Sequence, residues 1–159
     1  MCFCFYISCV LGSKDARNLP LWFIATGAFL FENLGMYRKF NPNPLKKTVG
    51  DCTVRAMCAL FDTDWFSSYD ALTAEGRRLC DMPSANVVFG SYLYNKGFDK
   101  RLVYNFPTHI INVREFANTH PHGMYLLATG SHVVTAIDGD YFDSWDSGEE
   151  TIIYYWERS

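Results

Sequence analysis

From residue 50 onward the chain alternates between two hydrophobic grammars. After Gly50-Asp51, apolar residues at 54, 57, 58, 60 and 61 recur at helical spacing, which predicts a helix opening at Cys52 with Asp51 as its N-cap. Thr63 or Asp64 caps a second helix running to about Leu79. Ser84 caps a third, closed by Gly97 just past its end. Asn112-Val-Arg-Glu115 has the form of a capping box before a short helix ending near His120. Beyond His120 the period changes. Gly123 to Thr129 and Ser131 to Ile137 read as strands, Asp138-Gly139 as a tight hairpin turn, Tyr141 to Trp145 as the return strand, and Thr151 to Trp156 as a last strand. Helices first and an antiparallel sheet last predict an α+β fold.

The residues before this pattern differ in kind. Leu19 to Phe31 is a mostly apolar stretch of thirteen residues, short of the ~20 that a membrane span needs. Met1 to Val10 carries no positive charge and no clean cleavage site follows, so it does not read as a signal peptide. Asn41-Pro-Asn-Pro44 is held extended by its prolines. The expected division is therefore an N-terminal extension over 1–35, read as an appendage or an over-extended start, and one domain over 36–159. Membrane contact is expected only through 19–31.

Composition narrows the function classes. A net charge of −3 without a basic block argues against tracking a phosphate backbone, so no nucleic-acid partner is expected. The six cysteines stand at 2, 4, 9, 52, 58 and 80, which is neither a disulfide framework nor a zinc-ligand spacing. A reducing, cytoplasmic setting follows from that reading, with no metal and no cofactor. His109, His120 and His122 lie in loop or helix-end contexts and carry no expected catalytic role.

Two segments carry chemistry. Cys52 at a helix start would have its thiolate favoured by aligned dipoles and free amides, and the same amides suit an oxyanion. A two-residue turn at Asp138-Gly139 pairs Ile137 with Asp140, and so Val134 with Asp143 and His132 with Trp145. By alternation His132, Asp143 and Trp145 then share a face, with Asp143 diagonal to His132. A three-residue loop would bring Asp146 there instead. A thiol, an imidazole to take its proton and a carboxylate to orient the ring are the parts of a nucleophilic triad, with the Trp145 indole beside them to screen the pair from water.

Gly50-Asp51-Cys52 opening a helix, Ser131-His132-Val133-Val134 on a strand and Asp143-Ser144-Trp145 after a hairpin resemble the Cys…His…Asn-Ser-Trp order of papain-like cysteine peptidases. The likeness is nearest to small bacterial and bacteriophage members related to bacteriocin-leader peptidases, and it covers Asn41 to Trp156. It implies Cys52 as nucleophile, His132 as base, Asp143 as orienting residue and Trp145 as its cover, acting on an amide or isopeptide bond of a peptide or protein. Where the family has a glutamine six residues before the cysteine this chain has Lys46, so Asn43 or Asn41 becomes the expected substitute. An inactive binding module on the same scaffold, or an acyl-transfer or deamidating enzyme using the same thiol, are the alternatives.

Overall fold

The computed structural model describes residues 35–105 and 109–158, all within one compact unit, Leu34–Ser159. Apart from Gly35, the N-terminal extension lies outside the described residues, and with it the 19–31 stretch and Cys2, Cys4 and Cys9. Among the described residues no helix is long and apolar enough to cross a membrane.

The architecture is α+β. Strand β1 (Tyr37–Lys39) precedes three helices: α1 (Cys52–Phe61), α2 (Trp65–Leu79) and α3 (Asn86–Asn95). Then come β2 (Phe98–Leu102), α4 (Val113–Thr119), β3 (Met124–Ala128), β4 (Val133–Ile137), β5 (Asp140–Asp143) and β6 (Tyr154–Arg158). The sheet order is β1-β5-β4-β3-β6-β2. An antiparallel sheet was expected, but β1 runs parallel to β5 and the sheet is mixed. Neither β1 nor β2 stands out from the hydrophobic pattern, because both are edge strands rich in charge, Arg38-Lys39 and Asp99-Lys100-Arg101.

Local signals account for most helix ends. The Asp64 side chain accepts from the Phe66 and Ser67 amides and starts α2 as expected, and Asn112 accepts from the Glu115 amide to start α4. Asp51 is a correction. It occupies the N-cap position of α1, yet its side chain caps no amide and turns inward to other partners. The N-cap of α3 is Ala85 rather than Ser84, since a turn from Met82 to Ala85 delays the helix by one residue. The last strand begins at Tyr154, later than the pattern suggested. Thr151 instead bridges Asn112, and the ladder with β3 opens at Ala128↔Tyr154.

The sheet separates two apolar cores. Helices α1, α2 and α3 cover one face with Val54, Met57, Leu72, Phe89 and Leu93 against Leu126, Val133 and Trp156. Close approach of α3 requires Gly90, where a Cβ would stand 2.9 Å from the Trp156 ring. Helix α4 covers the other face through Val113, Phe116 and Ala117 against Leu127, Val134 and Tyr141. The fully buried Thr135 hydroxyl donates to the Ala56 carbonyl at 3.0 Å and ties β4 to α1.

Candidate active site

The site forms where the start of α1 meets the end of the β4–β5 hairpin. Asp138 and Gly139 have φ of 49° and 88°, the two left-handed positions of a tight hairpin turn, and Ile137 pairs with Asp140 as expected. The ladder ends at Thr135↔Phe142, so neither of the expected rungs, Val134 with Asp143 and His132 with Trp145, is formed, and His132 and Trp145 lie just outside the two strands. His132 is held by its own backbone: its carbonyl accepts from the Thr129 amide at 2.9 Å and from the Thr129 hydroxyl at 3.3 Å.

His132 Nε2 meets Asp143 Oδ2 at 2.5 Å, with the carboxylate almost wholly buried. That leaves Nδ1 as the ring nitrogen available to the thiol. Trp145, 47% exposed, stands over the imidazole with ring centroids 5.6 Å apart. Asp146, the alternative third member, faces elsewhere: it accepts from the Tyr141 hydroxyl at 2.5 Å and pairs with Arg114. The carboxylate that meets the ring is therefore Asp143.

Electrostatics favour a charged pair. Burial would lower His132, but hydrogen bonds and charge from Asp143 and Cys52 outweigh it and push the imidazole up to about 9. Burial would raise Cys52, yet hydrogen bonds from His132 and the Val133 amide, with the charges of His132 and Arg55, bring it below its ordinary value. Burial would likewise raise Asp143; its bond to His132 and the Ser144 amide hold it low. Cys58 behaves oppositely: it is buried in the core and raised by that burial. The first helical hydrogen bond of α1 is Arg55 N–H to Asp51 O, so the amides of Cys52, Thr53 and Val54 precede the regular ladder at the thiol.

A cleft of about 140 Å³ opens on Cys52 and His132, walled by Ser84, Asn86 and Phe89 on one side and by Thr129, Gly130, Ser131 and Tyr154 on the other. A larger depression of about 390 Å³, lined from Thr73 to Pro83, lies along α2 and contains none of these groups.

The expected oxyanion substitute is differently employed. Asn43 is buried and its amide donates to Asp51 at 3.1 Å, while its carbonyl oxygen accepts from the Leu45 amide at 3.0 Å. Lys46 turns its ammonium to the Asn41 carbonyl at 2.8 Å. Asp51 is the anchor of this buried polar group, accepting also from Trp65 Nε1 at 2.9 Å and pairing with Arg55.

Arg55 is the residue that the pattern of the sequence did not single out. It is 7% exposed, and its two terminal nitrogens reach Asp51 and, at 3.6 Å, Asp143. The signal was present: one cation within an otherwise apolar helix, one turn after an aspartate. Among the other histidines, His120 stacks on Phe116 at 3.8 Å and bonds its carbonyl, a structural placement.

No family model, curated protein or solved structure matches this chain.

Proposed function

We propose that this protein is a papain-like cysteine hydrolase acting on an amide or isopeptide bond of a peptide or protein, with Cys52 as nucleophile, His132 as acid–base and Asp143 as orienting carboxylate. The observation that carries the reading is the His132–Asp143 bond formed beside a thiol at a helix start. A lone buried histidine would not need a buried carboxylate on its far nitrogen. The imidazole, the Val133 amide and Arg55 together favour the Cys52 thiolate, which supports a nucleophilic role.

The chemistry follows from the placement. The Cys52 thiolate attacks the carbonyl carbon, and the oxygen takes the electron pair of the broken π bond near the amides at the start of α1. His132, already protonated, gives its proton to the leaving nitrogen as the C–N bond breaks, leaving a thioester on Cys52. Water then attacks the thioester while His132 takes its proton. Collapse of that second intermediate breaks the C–S bond and releases the acid, returning the electron pair to sulfur and restoring the thiolate–imidazolium pair. Asp143 stabilises the imidazolium throughout without itself being protonated.

A binding module that has lost turnover is the second reading, favoured by Lys46 and Asn43 being committed away from the thiol. Treatment with a peptide-like electrophile, followed by mass spectrometry, separates the two. The hydrolase reading expects one adduct on Cys52, none on Cys58 or Cys80, and its loss in His132→Ala. Equal labelling of Cys52 and exposed Cys80 would overturn it. A pooled fluorogenic peptide library then reports turnover, expected to be absent in Cys52→Ser.

A further inference from the structure

Behind the site, a second set of charges extends the triad into the core. Asp51 and Asp143 come from separate parts of the chain, the approach to α1 and the end of β5, and both are nearly inaccessible to solvent. Arg55 lies between them with one terminal nitrogen on each, and its Nε meets no acceptor among the described residues. Two buried carboxylates sharing a small volume raise each other unless a cation separates them. Two further donors, Trp65 Nε1 and Asn43 Nδ2, fix the Asp51 carboxylate.

The geometry points to Arg55 as a positioning residue of the site: it bridges the helix that carries Cys52 to the carboxylate that orients His132, and Asp51 sets how much of its charge reaches that site. This inference rests on the hydrolase reading and adds two residues to its machinery. Lysine is not equivalent here, because a single ammonium cannot hold two carboxylates through separate nitrogens.

The charges that bear on the thiol are few. Arg55 is faced by Asp51, Asp143 and the Val49 carbonyl. Asp143 is faced by His132 and the Ser144 amide, with the Tyr37 hydroxyl on its backbone carbonyl. Cys52 is faced by His132, the Val133 amide and, at longer range, Arg55. Removing the cation and removing its partner anion therefore act in opposite directions on the thiolate.

The test is the pH profile of Cys52 alkylation in the full chain, measured on folded protein checked by circular dichroism. Arg55→Gln is expected to move the acid limb up by about one pH unit, and Asp51→Asn to move it down, since Arg55 then acts unshared. Arg55→Lys is expected to keep the limb near its wild-type position but lower the plateau rate several-fold. Limbs that stay in place in both Arg55→Gln and Asp51→Asn, or that move in the same direction, would overturn the inference. Should Arg55→Gln fail to fold, Asp51→Asn decides alone: a downward shift supports the bridge, and no shift or an upward one refutes it. If wild-type Cys52 shows a low, His132-dependent limb while these variants match it, only the positioning role fails. If wild-type Cys52 behaves as an ordinary thiol, the hydrolase reading fails first.

Discussion

His132 keeps its proton in the folded protein up to about 9, against an ordinary value of 6.5, and that difference is a statement about stability as well as chemistry. The histidine's contribution is fully present below pH 6.5 and is lost as pH rises through about 9. The lowered Cys52 thiol acts with the opposite sign, because its contribution grows with pH until an unfolded thiol would also ionise. The two offset each other in the wild-type protein. In Cys52→Ser the thiolate's share of that rise is lost and the share from Asp143 remains, so the urea midpoint is expected to fall as pH rises above 6.5; a midpoint that rises instead would contradict the pairing of His132 with Asp143. Trp145 belongs to the same scale. Its half-exposed ring lies over the imidazole, so Trp145→Ala is expected to admit water to the pair and slow Cys52 alkylation at pH 6 several-fold, with little change in the urea midpoint.

Between elements, the site depends on how α1 docks on β4 and how the hairpin turns. Thr135→Val keeps the shape but removes the hydroxyl that reaches the Ala56 carbonyl, and should cost about 1 kcal/mol in urea unfolding. Gly139→Ala places a side chain at φ 88° and should also cost about 1 kcal/mol, whereas Asp138→Gly relieves a left-handed residue. These are also the elements that the sequence made legible. The Asp138-Gly139 dipeptide has one strongly preferred geometry, and its register brought Asp143 rather than Asp146 to the ring. The start of α1 at Cys52 was legible from apolar spacing, but the destination of Asp51 was not: a cap and a buried ion pair ask for the same residue type, and the choice depends on Arg55, Trp65 and Asn43 arriving from elsewhere. Strands β1 and β2 were hidden for a related reason. Edge strands are half solvated, so charge replaces the alternation that reveals a central strand.

At the scale of the whole unit, one sheet carries two cores and the site lies at the end of the strands they share. Leu72→Ala on the face of α2 and Phe116→Ala on the face of α4 both remove completely or nearly buried side chains, and each is expected to destabilise by roughly 2–5 kcal/mol. Because β3 and β4 contribute to both cores, each variant should still unfold in a single transition seen alike by fluorescence and circular dichroism. Two separated transitions would show that the faces are independent. The central claim, a thiolate held by a protonated histidine, concerns the point where these layers meet. Its most direct test is the rate of Cys52 alkylation by iodoacetamide from pH 5 to 10, in the wild-type protein and in His132→Ala. Rapid reaction already at pH 6 that disappears in the variant is the predicted result. Matching profiles with a midpoint near the ordinary thiol value of about 8.5 would contradict it.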